Sequence, residues 1–177
     1  MEKKRLHRKS LDIVQNCWVV PDINAAMRKW LDMGYGPFVT FDLELPHALY
    51  RGQQVPLIVS IALTHGGGVQ IELVQQRSLG PSIYRDMYGP DEGGFHHMCI
   101  VTDDYPAELA RLRRQGFVIA AEGEALGLHF AYADTRESMG CMLEVIGDVP
   151  MLQEVYKAVA DAARDWDGSD PIRPLKL

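Results

Sequence analysis

Two histidines stand side by side in "GGFHHMCIVTDD" (93–104), at the head of an otherwise apolar run, and two glutamates lie inside apolar runs of their own. The glutamates are Glu72 in "VQIELVQ" and Glu144 in "CMLEVIG". Read alone, His96 and His97 form a strand end with one imidazole in solvent and the other in the core, or one of them ligates a metal. A single glutamate in such a strand reads as an edge or barrel-mouth charge. Two of them ask for a common cause, because burying an ionised carboxylate without a partner costs several kcal/mol. A bound cation supplies that cause if the two sit at equivalent places.

A repeat makes them equivalent. Residues 14–38, "VQNCWVVPDINAAMRKWLDMGYGPF", align with 96–120, "HHMCIVTDDYPAELARLRRQGFVIA", at a constant shift of 82 (97 − 15). Gln15 falls on His97, Cys17 on Cys99 and Gly34 on Gly116. Each copy reads as a short strand, an acidic N-cap (Asp22; Asp103 or Asp104) and a helix with apolar residues at helical spacing. A glycine then closes the helix as a residue with positive φ would. Three strand-like runs follow in each copy, with "HGGG" (65–68) and "RESMG" (136–140) as turns. The order is β-α-β-β-β, twice. Glu72 and Glu144 occupy the last strand of each copy, 57 residues (72 − 15) and 47 residues (144 − 97) after Gln15 and His97. The difference of ten lies in "ELPHALYRGQQVP" of the first copy. If the copies pack about a pseudo-twofold axis, Gln15 and His97 converge on one cavity.

These pieces, "VQNCWVVPDINAA", "VQIELVQ", "GGFHHMCIVTDD" and "GCMLEVIG", resemble the vicinal oxygen chelate superfamily of glyoxalases, methylmalonyl-CoA epimerases, extradiol dioxygenases and bleomycin-type resistance proteins. The resemblance spans residues 12–147. It implies an α+β fold of two tandem βαβββ modules forming a barrel-like curved mixed sheet, with one divalent metal held by Gln15, Glu72, His97 and Glu144. His97 is the implied ligand because it stands six residues before the helix start, which leaves His96 as its flanking residue. A set of three oxygens and one nitrogen suits Zn, Ni, Co or Mn. Iron suits it less, since extradiol chemistry needs two histidines and the first position here is Gln15. The implied activity is that of a lyase or isomerase of the glyoxalase or epimerase kind, with Glu144 or Glu72 moving a proton on the carbon next to a carbonyl. The alternatives are an Fe(II) extradiol-type dioxygenase and a metal-free ligand-binding or resistance protein.

The remaining elements fit one chain-length domain (1–177): a first module at 12–75, a segment of some helical character at 76–92, a second module at 93–147 and a C-terminal helix at 150–166. That helix places Leu152, Val155, Tyr156, Val159, Ala163 and Trp166 on one face. The helix and the tail "DGSDPIRPLKL", read as irregular, could cover a partner, and a homodimer is expected. Whether the site forms within one chain or across two stays open. Cys17, Val19, Cys99 and Val101 are expected to line the cavity, which points to a small apolar or aromatic carbonyl substrate. "HGGG" has no G-x-S-x-G partner and reads as a strand turn. His47, Tyr50 and Arg51 fall on a long loop that is either a lid or ordinary surface. Tyr84 and Tyr88 read as packing, and "RLRRQ" (111–115) as a solvated helix face.

Composition excludes several classes. The chain is 47% apolar and 24% charged, so it has the make-up of a folded protein. A net charge of −6 argues against a general nucleic-acid binder. The basic opening "MEKKRLHRKS" lacks the apolar core of a signal peptide, and no apolar run reaches the length of a membrane span. Three cysteines without a C-x-x-C fit a reduced cytoplasm.

Overall fold

The computed structural model describes residues 12–175. The basic opening segment and the last two residues lie outside them. The first module runs β1 (Ile13–Val19), α1 (Ile23–Asp32), β2 (Phe38–Leu45), a hairpin of β3 (Leu49–Tyr50) and β4 (Gln53–Gln54), then β5 (Leu57–Gly66) and β6 (Val69–Gln76). The second runs β7 (Gly94–Thr102), α2 (Tyr105–Arg114), β8 (Ile119–Ala125), β9 (Leu128–Ala133), α3 (Arg136–Met139) and β10 (Met142–Gly147). After them come α4 (Pro150–Ala163) and β11 (Ile172–Pro174). This is the α+β fold of two tandem βαβββ modules, with a C-terminal helix.

The two helices end as the repeat requires. Asp22 accepts from the Ala25 amide at 2.9 Å, and Asp104, rather than Asp103, accepts from the Ala107 amide at 3.0 Å. Each satisfies an amide that the first helical turn leaves free. Gly34 (φ +92°) and Gly116 (φ +89°) reverse the chain at the other ends, a conformation that costs any residue with a Cβ. Each helix covers the outer face of its own module. Ile23 and Met27 pack with Phe38, Ala62 and Leu73, and Leu109 and Leu112 with Ile100, Ala131 and Val145.

All strands join one sheet, in the order β11-β2-β5-β6-β1-β7-β10-β9-β8-β3-β4. Its centre is the antiparallel pair β1·β7, which joins the modules within a single chain. Each of these strands runs parallel to the last strand of its own module, β1 to β6 and β7 to β10. The extra length of the first module lies between β2 and β5 and contains the β3–β4 hairpin. The hairpin crosses over to pair with β8, Leu49 opposite Glu122, and so completes the curl of the sheet around its concave face.

Residues 77–93 form no full helix but carry a run of turns at 83–87 with helical bonds, from the Asp86 amide to the Ser82 carbonyl at 3.1 Å and from the Tyr88 amide to the Tyr84 carbonyl at 3.0 Å; Ser82 Oγ takes up the Tyr84 and Arg85 amides there. Two local expectations change. "RESMG" holds a one-turn helix, α3, closed by Gly140. The tail is not irregular throughout, because β11 adds to the free edge of β2, Ile172 beside Phe38.

Candidate metal centre and cavity

The inner face of the four central strands carries the chemistry in two adjacent cross-strand rows. One row reads Leu63, Glu72, Cys17, His97, Met142 and the next reads Gln70, Gln15, Cys99, Glu144, Tyr132. Alternation along each strand puts i and i+2 on one face, so Gln15 and Cys17, Gln70 and Glu72, His97 and Cys99 all point inward. The pseudo-twofold of the repeat exchanges Gln15 with His97 and Cys17 with Cys99.

His97 is the hub. It is fully buried, and its Nε2 lies 3.2 Å from Glu144 Oε2 and 3.4 Å from Glu72 Oε2. Neither oxygen meets Nε2 in hydrogen-bonding geometry, so this buried nitrogen has no hydrogen-bond partner among the described residues. The Cys17 thiol completes a group in which a Cys17, a Glu72 and a His97 ligand atom all fall within 4.8 Å of one another.

His96 is not a solvent-facing neighbour. The register of β1 on β7 slips between Cys17↔His97 and Trp18↔Phe95, and the extra residue is His96. A β-bulge of this kind lets two adjacent side chains turn to the same side. Both rings are therefore buried and meet Nδ1 to Nδ1 at 2.9 Å, while His96 Nε2 lies 3.0 Å from the Ile83 carbonyl. A carbonyl only accepts, so His96 donates through Nε2. Burial and the neighbouring His97 hold His96 down to about 3, which keeps it neutral with a bare Nδ1. His97 must then donate from its own Nδ1, which leaves Nε2 as the atom presented to the two carboxylates.

Electrostatics at Nε2 follow from that arrangement. Burial opposes a charge on His97, yet Glu144 and Glu72 beside it push the ring up to about 9. Burial raises Glu144, and His97 with Tyr132 overcomes it to leave the carboxyl below its ordinary value. Burial, and then Glu72, drive the Cys17 thiol well above its ordinary range, so without a cation it stays protonated. Two carboxylates converging on one nitrogen require a proton or a metal ion between them.

Gln15 sits in the neighbouring row. Its Nε2 donates to Gln70 Oε1 at 2.6 Å, and its Oε1 is buried without a partner among the described residues. Both glutamines line the same cavity as Glu72 and Glu144. The expected four residues thus fall in one chain, with Glu72, His97 and Glu144 in direct contact and Gln15 beside them, tied to Gln70. The donor set fits a divalent ion: an imidazole nitrogen and an amide oxygen left unpartnered, with two buried carboxyl groups.

Sequence reading missed Gln70, His96 and the aromatic wall. Gln70 was detectable from its i−2 relation to Glu72. Tyr132 stands opposite Glu144 across β9·β10 with its ring centroid 5.1 Å from that of His97, and Tyr84 packs on His96 at 4.9 Å. These contacts fix both imidazole rings.

Above the rows lies a cavity of about 170 Å³. Its walls are not Cys17, Val19, Cys99 and Val101, which belong to the packed core or lie against it. The walls come from the outer strands, with residues such as Leu43, Ile61, Leu63 and Phe130, and from α4 through Leu152, Val155 and Tyr156. The C-terminal helix lays its apolar face into the concave side of its own sheet, so Leu152, Val155, Tyr156 and Val159 are not left for a partner; Trp166 lies beyond the helix, against Gly36. No Lys, Arg or His is among the described lining residues.

The model of the glyoxalase/bleomycin resistance protein/dioxygenase superfamily matches residues 14–132. No curated protein matches the sequence. Among solved structures, methylmalonyl-CoA epimerase from Mycobacterium tuberculosis is 17% identical, with 84% of this chain and 97% of that one covered at a TM-score of 0.54. A hypothetical protein from Bacillus halodurans is 19% identical, with 80% and 96% covered and a TM-score of 0.60. A variant methylmalonyl-CoA epimerase from Streptomyces coelicolor, in complex with 2-nitronate-propionyl-CoA, is 18% identical, with 79% and 99% covered and a TM-score of 0.51. At these identities the likeness is one of fold.

Proposed function

This chain belongs to the glyoxalase/bleomycin resistance protein/dioxygenase superfamily, and we propose that it is a metal-dependent isomerase or lyase that moves a proton on the carbon next to a carbonyl. The observation that carries this reading is the convergence of Glu72 and Glu144 on a buried His97 Nε2 whose tautomer is set from behind by His96 and the Ile83 carbonyl. Gln15, Glu72, His97 and Glu144 would hold one divalent ion of the Zn, Ni, Co or Mn kind, with the Cys17 thiol next to them. The bound ion supplies a Lewis acid for charge that develops on the substrate oxygen.

The residues themselves supply the proton chemistry. Glu72 and Glu144 reach the centre from β6 and β10, on opposite sides of the β1·β7 pair. A proton taken by one and returned by the other inverts a stereocentre, as an epimerase does. A proton taken and returned by the same carboxylate moves hydrogen between adjacent carbons, as a glyoxalase does. The apolar cavity keeps bulk water off the carbanion-like centre and favours a small, uncharged apolar or aromatic carbonyl compound. An acyl group with a free carboxylate, such as methylmalonyl, would find no cationic side chain on the described walls. We also place the protein in the cytoplasm, in keeping with its three free, buried cysteines, and expect it to act on a small molecule as a homodimer.

The test is elemental analysis of the wild type beside His97→Ala and Glu144→Ala, followed by solvent-deuterium exchange into neutral carbonyl compounds. About one divalent ion per chain, lost in both variants, and exchange that depends on it support the reading. A wild type that takes up no zinc, nickel, cobalt or manganese sinks it, and a sequestering protein with an apolar cavity takes its place.

A further inference from the structure

One polar atom on the α4 side of the cavity is poorly satisfied by the fold. Tyr156 lies on α4, its ring forms part of the cavity wall, and its hydroxyl is shielded from solvent with no oxygen or nitrogen partner among the described residues; its one side-chain hydrogen-bonding neighbour is the Cys99 thiol, a weak acceptor. Buried hydroxyls nearly always find a partner; among the described residues the Thr64 hydroxyl is the other buried one that lacks it, while several around the cavity have theirs. Tyr50 donates to Asp86 at 2.6 Å, Tyr88 to the Phe95 carbonyl at 2.7 Å and Ser82 to Gln76 at 2.6 Å. The helix does not need the hydroxyl for packing. Leu152 and Val159 fill the same face with apolar groups, and a phenylalanine would supply the same ring.

The position of the hydroxyl indicates what it faces. It lies beside the Cys99 thiol. Cys99 stands between Gln15 and Glu144 in its cross-strand row, so Tyr156 reaches the candidate centre from the side opposite the sheet. The carboxyl groups of Glu72 and Glu144 and the free Gln15 oxygen are acceptors at that centre. A phenol O–H facing them has the polarity to hold a substrate oxygen that none of them can.

We propose that Tyr156 donates a hydrogen bond to the substrate's carbonyl oxygen and so orients it, making the C-terminal helix part of the binding site rather than a plug. This rests on the reading that an uncharged carbonyl compound occupies the cavity. Tyr156 is then a positioning residue supplied by the segment that follows both modules, and α4 sets substrate size and orientation through Val155 and Tyr156.

The test compares wild type with Tyr156→Phe, using 1-phenyl-2-propanone carrying ¹³C at the carbonyl. Binding is read by calorimetry and the carbonyl stretch by isotope-edited infrared spectroscopy, on the metal-free protein and on the zinc-loaded one. The expected result is an unchanged melting temperature, an unchanged zinc content and affinity about tenfold weaker in the variant. The carbonyl band, shifted to lower frequency by the wild type, should move back in Tyr156→Phe. Equal affinity and an equal band position in the two proteins overturn the proposal, and so does a wild type that does not bind the probe. Failure of the proton-transfer reading looks different: the band shift depends on Tyr156, but no deuterium enters the probe.

Discussion

Zinc binding should expel close to one proton at pH 7, and the number follows from the charges around His97. In the metal-free protein the ring titrates at about 9, because two carboxylates flank Nε2 even though burial opposes the charge. At pH 7 such a ring is about 99% protonated, whereas a histidine at its ordinary 6.5 would be about one quarter protonated. A metal ion at Nε2 must displace that proton. Release should therefore be about 1 rather than about 0.2, and apparent affinity should rise about tenfold per pH unit up to 9. Two units amount to about 100-fold, or about 2.7 kcal/mol. Above 9 the affinity should level off. Calorimetric titration of the metal-free protein with zinc, in buffers of differing ionisation enthalpy, reads the proton count directly. A release near 0.2 with flat affinity above pH 7 would refute the reasoning, because it would mean that the carboxylates do not act on Nε2. A release near two would add the Cys17 thiol to the ligands, since that thiol is held protonated until a cation arrives.

The same titration acts on the fold. His97 is raised on folding, so its contribution is complete below about pH 6.5 and is lost as pH rises through about 9, at most about 3 kcal/mol. Thermal melts of zinc-free protein should decline across that window, and a flat profile would count against it. Gly93→Ala places a Cβ 2.4 Å from the Val19 carbonyl oxygen, where backbone would have to move just ahead of the β7 bulge. We expect a loss of about 2–3 kcal/mol, read as a melting temperature roughly 5–10 °C lower. Arg51 bridges Asp86 at 2.6 Å and Asp134 at 3.1 Å and thereby pins the β3–β4 hairpin at the cavity mouth. Because Arg51 is partly exposed, Arg51→Ala should cost less than about 1 kcal/mol, yet amide exchange across 48–55 should quicken. Unchanged exchange would mean that the hairpin is held by its pairing with β8 alone.

The parts of this fold that the sequence displays are the parts fixed by neighbours in the chain. N-caps Asp22 and Asp104, closing glycines Gly34 and Gly116, and alternation in "VQIELVQ" and "CMLEVIG" are short-range signals, and the repeat lets each copy check the other. What depends on closing the sheet was not legible. Nothing local in "ELPHALYRGQQVP" says that Leu49 will pair with Glu122 of the other module. Nothing local in α4 says that its apolar face turns inward to the cavity rather than outward to a second chain. The cavity walls were misread for the same reason. Period-2 reasoning correctly placed Cys17 and Cys99 on the inner face, but only the curl of β2, β5, β8 and β9 decides which inward residues meet open space.

The histidine pair shows where a period-2 argument fails and why that failure is informative. On a regular strand, adjacent residues face opposite ways, so "HH" in β7 should have given one buried ring and one exposed ring. The sequence carried the residues for a second buried histidine but no signal for the bulge that brings it inward. Once the register slips at His96, the strand presents a ligand and the group that fixes its tautomer from consecutive positions. No other strand need contribute that partner. The helix-facing side of β7 still buries Ile100 against Leu109 and Leu112, so the slip is confined to the end of the strand where Glu72 and Glu144 converge. A bulge leaves one residue out of the ladder, and a strand that keeps one beside two buried carboxylates does so for what it places there.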